Sequence, residues 1–176
     1  MYIGNYENYH FFIIPMIIKT NITNILQDGI VKTQVFNNEL IAGYEHIIYA
    51  FKTTIRAWKE KRNIAKSLPM DLLLSVAATR QIKEALDKIG VKNEKCILIA
   101  FSEDKEKLDS FLKELSKYGI EDESLIKINN EKIKNLMNFF KINEKEFLIS
   151  KKLYESEEIA IQSLVLEKIA LFDLTR

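Results

Sequence analysis

Few residues in this sequence have the types and spacing that enzymes use for chemistry. The chain has two histidines, His10 and His46, and one cysteine, Cys96. They do not form a pair at the spacing of metal ligands. Cys96 lies inside the apolar run 96–101, so we interpret it as a small buried residue in a strand. His46 begins an apolar stretch, which favours a packed or surface histidine over a catalytic base.

Familiar catalytic and cofactor-binding motifs do not occur in the sequence. We find no Walker loop, no dinucleotide-binding glycine motif, no nucleophile elbow and no zinc signature. Carboxylates are numerous, but they lie in mixed runs such as 103–107, which are typical of solvated helix faces. We therefore predict a protein that is not an enzyme and has no catalytic residue, metal or cofactor. The alternative is an unrecognised active site, whose turnover would depend on His46 or Cys96.

Charge is unevenly distributed, although the net charge of the 176 residues is +1. The segment 52–66 has six basic residues and one acidic residue, whereas 103–123 has eight acidic residues and four lysines. A neutral chain with a basic part can present a phosphate-binding surface. Solvated helix faces in a lysine-rich protein are the alternative interpretation.

Composition is that of one soluble globular domain. Hydrophobic residues make up 47% and charged residues 29%, which excludes a disordered chain. The apolar run 11–18 is too short for a membrane span, which needs about 20 residues. No lysine or arginine precedes this run, so it does not resemble a secretory signal. We expect a cytoplasmic protein with one domain over 1–176.

Hydrophobic periodicity predicts an α+β fold, with a small, mostly antiparallel sheet of at least three strands packed with about six helices. Strands are predicted over 9–18, 30–36 and 95–101. Helices are predicted over 43–61, 69–74, 79–89, 103–117, 129–140 and 156–172, with a short one over 21–28. Ser67 and Thr79 are the expected caps of the second and third long helices, and Gly90 ends the third.

The helix predicted over 156–172 is apolar around nearly its whole circumference. Such a helix must be buried on both sides. One face can pack on the core, and the other then needs a partner protein. Burial between two layers of its own domain is the open alternative.

Three motifs follow one another in the middle of the chain. They are IAKSLPMDLLL at 64–74, TRQIKEA at 79–85 and IGV at 89–91, preceded by a basic helix and followed by an apolar strand. This order resembles the regulatory subunit of the KEOPS complex, the family that includes the PRPK-binding protein of eukaryotes. The resemblance covers most of the chain, is strongest over 43–101, and is similar to the archaeal form. The first seven residues do not match it.

The resemblance implies a function that composition does not reveal. KEOPS makes the threonylcarbamoyl modification on an adenosine of tRNAs that read codons beginning with A, and the chemistry belongs to another subunit. This family binds the small atypical kinase/ATPase subunit, supports its activity, and binds tRNA, in particular the 3′ CCA end. We therefore expect two partners, the kinase subunit and tRNA, with no membrane and no small-molecule substrate. A pure protein-interaction module without direct RNA binding is the alternative.

The family motif suggests which residues contact tRNA. Arg80 and Gln81 match it, and an arginine can stack on a base while a glutamine can contact a base edge. Lys83 is expected one helical turn after Arg80, on the same side. Ser67 also matches, but capping a helix explains it equally well.

Other site residues are suggested by charge or by hydrophobicity. The basic segment adds Lys59, Arg62 and Lys66 to the expected tRNA-binding residues. The residues expected to bind the kinase subunit lie on the apolar helix and are Ile161, Leu164, Val165, Ile169 and Phe172.

Overall fold

The computed structural model describes residues 1–21, 23, 25–26 and 28–176. The short helix predicted over 21–28 falls on the gaps between these ranges, outside the described residues. The strands are β1 (Tyr2–Tyr6), β2 (Tyr9–Ile18), β3 (Lys32–Asn37), β4 (Lys95–Ser102) and β5 (Gly119–Glu121). The helices are α1 (Tyr44–Lys59), α2 (Leu68–Ala77), α3 (Ile82–Ile89), α4 (Lys105–Glu114), α5 (Asn130–Phe140), α6 (Glu144–Tyr154) and α7 (Glu157–Leu174).

One antiparallel sheet organises the domain. Its strand order is β1-β2-β4-β3, and β5 pairs with the end of β2 beside β1. In the centre of the sheet Phe11 lies opposite Phe101, and Ile13 lies opposite Ile99. This architecture confirms the predicted α+β fold with a mostly antiparallel sheet.

Both faces of the sheet are covered, which explains why residues 11–18 of β2 and 96–101 of β4 are apolar without a break. Ile97, Ile99 and Phe101 point to a large core shared with α1, α2, α5 and α7. Leu98 and Ala100, at the alternate positions, point to a smaller core beneath α4. A strand that is buried on both faces has no polar side to alternate with.

Helix α7 lies between two layers of its own domain. It contacts α1, α2 and α5 on one side and α6 on the other. Its side chains Ile161, Val165 and Ile169 are fully buried. Packing within the chain therefore covers most apolar side chains of this helix, in line with the open alternative, whereas Ile159, Leu171 and Leu174 are exposed.

Three elements were missed by the sequence prediction: β1, β5 and α6. Strand β1 contains Gly4 and Asn5, which are unfavourable in strands, and β5 has only three residues. Helix α6 did carry a start signal, because Asn143 and Glu146 form a capping box. Among the described helices, none is both long and apolar enough to cross a membrane.

Candidate functional site

The IAKSLPMDLLL motif forms the start of α2 and the loop before it. Ser67 is the N-cap residue, and its Oγ accepts a hydrogen bond from the backbone N–H of Met70 at 3.4 Å. Pro69 lies in the first turn, where its missing N–H costs no helical hydrogen bond. The capping role predicted for Ser67 is confirmed, and its hydroxyl is engaged within the domain.

The TRQIKEA motif begins in the turn between α2 and α3. Ala78 has a left-handed conformation (φ 49°), which ends α2 and turns the chain outward. Thr79 Oγ1 then accepts the N–H of Gln81 at 3.3 Å and donates to Glu84 at 2.8 Å. Because Gln81 is the N-cap residue of α3, the prediction that Thr79 caps this helix is wrong. Gly90 ends α3 as predicted.

A groove of about 480 Å³ opens beside this turn. Its walls come from the end of α2, the start of α3, the end of α5 and the end of α7, which meet here although α5 and α7 are distant from α2 in sequence. Arg80 contributes a basic side chain, and Lys141 and Lys168 contribute two more. The remaining lining residues are Ala77, Ala78, Thr79, Glu84, Phe139, Phe140, Leu171, Phe172 and Thr175.

The groove combines aromatic carbon with positive charge. Phe139 is partly exposed and packs edge-on against Phe140, with ring centroids 4.6 Å apart. Glu84 is the acidic residue of the lining, and hydrogen bonds from Lys88 and Thr79 lower its pKa. Its charge is offset by the Lys88 ammonium group at 2.8 Å. A base can stack on an aromatic wall while the cations contact phosphates.

Arg80 reaches the groove, but the two residues predicted with it do not. Its Nη1 donates to the carbonyl oxygen of Thr175 at 2.5 Å, which holds the guanidinium against the end of α7. Gln81 and Lys83 are exposed but do not line the groove. The helical-turn argument for Lys83 was wrong, because Arg80 lies before the first residue of α3 rather than within the helix.

The basic segment 52–66, which comprises the end of α1 and the loop after it, does not line this groove. Lys59 pairs with Glu7 at 3.2 Å, and Lys66 is exposed. Arg62 contacts Glu60 at 2.5 Å and the Asp173 carboxylate at 3.4 Å. Arg62 also donates to the Asp173 carbonyl at 3.3 Å, so the end of α7 separates this segment from Arg80. Of the seven predicted tRNA-binding residues, Arg80 alone lines the groove, and Lys59, Arg62 and Lys66 lie on the basic segment, which we call the basic flank.

A buried carboxylate fixes the shape of the basic segment. Asp71 Oδ1 accepts the backbone N–H groups of Ile64 and Ala65 at 2.9 and 3.0 Å. Its Oδ2 accepts from Trp58 Nε1 at 2.8 Å and from Arg176 Nη2 at 2.5 Å. Burial lowers the pKa of Arg176, whose guanidinium also lies over the Phe172 ring. The contact between Asp71 and Arg176 could not be predicted from local sequence patterns, because 105 positions separate the two residues.

The histidine and cysteine considered for catalysis are buried. His46 Nδ1 accepts from the Ala42 N–H at 3.1 Å, and Nε2 lies 3.0 Å from the Val76 carbonyl. Burial lowers the pKa of His46 to about 4 and raises that of Cys96 to about 12. A neutral histidine bound to two backbone groups and a protonated thiol in the core have structural roles here.

The residues expected to bind the kinase subunit are largely used inside the domain. Ile161, Val165, Ile169 and Phe172 are buried in the main core, and Leu164 is partly buried against it. These side chains pack α7 against its own domain and are already buried in the chain without a partner. Burial in the free chain does not test kinase binding, so the assignment of these five residues stays a prediction.

An α+β domain with a basic, aromatic-walled groove, and with its thiol and His46 buried, has the features of a binding protein. Comparison with known families agrees. The family described as "Kinase binding protein CGI-121" matches residues 18–173, and the chain belongs to this family. The match excludes β1 and nearly all of β2.

Two archaeal relatives support the same family. "Regulatory protein Cgi121" of Methanocaldococcus jannaschii is 32% identical over 146 residues, which cover 82% of this chain and 86% of the relative. "KEOPS complex subunit Cgi121" of Pyrococcus abyssi is 30% identical over 93 residues, which cover 52% of this chain and 53% of the relative. The resemblance inferred from the central motifs is confirmed.

Proposed function

We propose that the protein is a non-catalytic regulatory subunit of a KEOPS complex. In this role it binds the small kinase/ATPase subunit, supports its activity, and recruits tRNA through the 3′ CCA end. The family match and the KEOPS name of the Pyrococcus relative support membership of the complex. Threonylcarbamoyladenosine formation then takes place on another subunit, while this chain holds the substrate RNA.

The observation that carries the RNA-binding part is the groove at Arg80. It brings Arg80, Lys141 and Lys168 around a wall that includes Phe139. Its volume of about 480 Å³ lies within the range of pockets that enclose small ligands, about 300–1,000 Å³. A single-stranded 3′ end suits such a groove, because its bases are free to stack and its phosphates are accessible.

One observation favours the alternative of a protein-interaction module without RNA binding. Two cations of the basic flank, Lys59 and Arg62, already have carboxylate partners in Glu7, Glu60 and Asp173. Paired cations release fewer counterions when they meet a phosphate, so they add less to RNA affinity. The groove and the flank must therefore be tested separately.

The deciding experiment measures binding of the isolated protein to intact tRNA and to tRNA that lacks its 3′ CCA, at about 50 and 200 mM salt. We expect trimming to weaken binding by about tenfold or more. Arg80→Ala and Phe139→Ala should each weaken binding to intact tRNA by about fivefold or more, since a base stacking contact contributes about 1–3 kcal/mol. Lys113→Ala is the matched control, because Lys113 is exposed on α4, across the sheet from the main core.

Each result has a clear meaning. Equal binding to intact and trimmed tRNA would leave only a general basic surface, and no binding to either would favour the interaction module. A large fall in melting temperature for Arg80→Ala with preserved RNA affinity would make Arg80 a structural residue.

A further inference from the structure

Strand β1 is an open edge of the sheet. Among the described strands only β2 pairs with it, so the backbone N–H and C=O groups on its outer side have no strand to bind. An open edge of this kind accepts another strand through main-chain hydrogen bonds. Because the family match begins at residue 18, β1 is a feature that the proposed function leaves unexplained.

The sequence of β1 does not protect this edge from pairing. Proteins often block open edges with charged residues or proline. Residues 2–6 have the sequence YIGNY, which contains neither a charged residue nor a proline. Ile3 lies opposite Phe12, on the side of the smaller core, and is 66% exposed. The edge is therefore short but open to a second strand, with a large apolar side chain beside it.

The N-terminal end of β1 is acidic. The Met1 ammonium group contacts Glu121 at 2.7 Å and also contacts Glu123. The Tyr44 hydroxyl donates to Glu123 at 2.8 Å, and the Tyr44 ring packs on Tyr2 with ring centroids 5.8 Å apart. Glu123 therefore lies on the side of the sheet that α1 covers. One ammonium group and two exposed carboxylates leave an excess negative charge at this end.

The C-terminal end of β1 is basic on the same side of the sheet. Lys52 of α1 is exposed, and its Nζ lies 5.8 Å from the centre of the Tyr6 ring. Glu7, which follows the strand, pairs with Lys59 at 3.2 Å. The charges of that pair cancel, so Lys52 supplies the net positive charge at this end.

Opposite charges at its two ends make β1 complementary to a second copy of itself. In an antiparallel pair, the N-terminal end of one strand lies beside the C-terminal end of the other. A two-fold axis at Gly4 places Tyr2 of each copy opposite Tyr6 of the other, as a cross-strand aromatic pair. The same axis brings Glu123 of each copy toward Lys52 of the other. A strand from an unrelated protein satisfies the same main-chain groups but has no reason to match this order of charges.

We propose that two copies of this chain dimerise through β1, which pairs antiparallel about a two-fold axis at Gly4 and joins the two sheets into one. The contact is small, because each copy contributes a five-residue strand and the charges at its ends. Obligate dimers bury about 2,000 Å² or more, so we expect a reversible dimer with a Kd of about 1–100 µM. Dimerisation does not depend on the proposed function, because Lys52, Glu123 and the residues of β1 do not line the groove at Arg80.

Sedimentation equilibrium of the full chain, over about a hundredfold range of protein concentration, measures the dimer. Ile3→Lys should raise the dimerisation Kd about tenfold or more, because it places two ammonium groups close to the two-fold axis. Ile30→Lys is the matched control and should change the Kd less than about twofold. Ile30 is similarly exposed (64%) but precedes β3, at the opposite edge of the sheet.

A charge exchange tests the contact between the strand ends. Lys52→Glu and Glu123→Lys should each raise the Kd about fivefold or more, because each brings like charges together twice in a dimer. An equimolar mixture of these two variants should recover a Kd within about threefold of wild type, since opposite charges then meet at both ends of the heterodimer. Lys83→Glu, on the exposed side of α3, is the control and should leave the Kd unchanged.

The outcomes decide between this dimer and other uses of the edge. A wild-type chain that stays monomeric over the whole range would refute the dimer and leave the edge to an extended segment of another protein. Wild-type affinity in Ile3→Lys, or a mixture that does not recover, would place the dimer contact on another face and also refute the proposal. Melting temperatures of the dilute variants should stay within about 2 °C of wild type, which shows that the domain is folded. If Ile3→Lys lowers the melting temperature further, the charge exchange decides alone, because it changes only exposed side chains.

Discussion

Asp71 is the buried charge on which the loop of the first family motif depends. Replacing it by alanine removes the acceptor for three N–H donors, two from the backbone of Ile64 and Ala65 and one from the Trp58 ring. It also leaves the buried Arg176 guanidinium without its carboxylate partner. We expect Asp71→Ala to be among the most destabilising single substitutions in the chain.

The size of the effect follows from these contacts. A buried donor without a partner costs about 1–3 kcal/mol, and breaking a buried ion pair costs about 3–5 kcal/mol. These costs overlap, so we expect Asp71→Ala to lower the free energy of unfolding by about 4 kcal/mol. For a domain of this size each kcal/mol corresponds to about 2–4 °C, which gives a fall in Tm of about 8–16 °C. Arg176→Ala should cost less, about 2 kcal/mol, because Asp71 keeps its three N–H donors.

Urea unfolding of the two single variants and the double variant measures these terms. The double variant should be less destabilised than the sum of the single variants by about 1–3 kcal/mol, because the two residues share one interaction. Lys88→Ala is the control: it breaks the exposed pair with Glu84 and should cost less than about 0.5 kcal/mol. A cost below about 1 kcal/mol for Asp71→Ala, or full additivity of the two single changes, would refute the reasoning.

Two further substitutions test single residues. Burial lowers the pKa of His46 to about 4 in the folded chain, so on acidification the unfolded chain takes up this proton first. Neutral His46 therefore contributes its full stabilisation of the fold above about pH 6.5. This contribution is lost as the pH falls through 4. Wild type should thus lose about 3 kcal/mol between pH 7 and pH 4 relative to His46→Gln in urea titrations, and parallel pH profiles would contradict this. Ser67→Ala should cost about 1 kcal/mol through loss of the N-cap while tRNA affinity stays unchanged. Reduced RNA affinity at full stability would instead make Ser67 an RNA contact.

Elements with a strong hydrophobic period were predictable. The helix predicted over 43–61 is α1 (Tyr44–Lys59), and the strand predicted over 95–101 is β4 (Lys95–Ser102). Helix α1 buries one stripe, so its apolar residues recur with the helical period. Strand β4 is buried on both faces, so it appears in the sequence as a continuous apolar run. Helix α6 left no comparable pattern, because its inner side packs on a single helix and its outer side is also apolar.

The candidate site was predictable only in part. Arg80 was found because it lies in the TRQIKEA motif, on which the family resemblance depends. Phe139, Lys141 and Lys168 were missed, because their meeting with Arg80 depends on how α5 and α7 pack against α2. The mixed sequence around these residues is typical of an ordinary surface and carries no signal of a groove.

The fold class, the family and the buried position of Cys96 could be predicted from the sequence, whereas His46 was left with two alternatives, a packed or a surface position. These properties follow from composition, periodicity and motif order, which are local along the chain. Packing of the helices was needed to show which side of α7 is buried, that Asp71 binds Arg176, and that the basic residues divide into a groove and a flank. A helix that is apolar all round has no preferred inward side, and an ion pair across 105 positions has no local signature, so packing alone settles both.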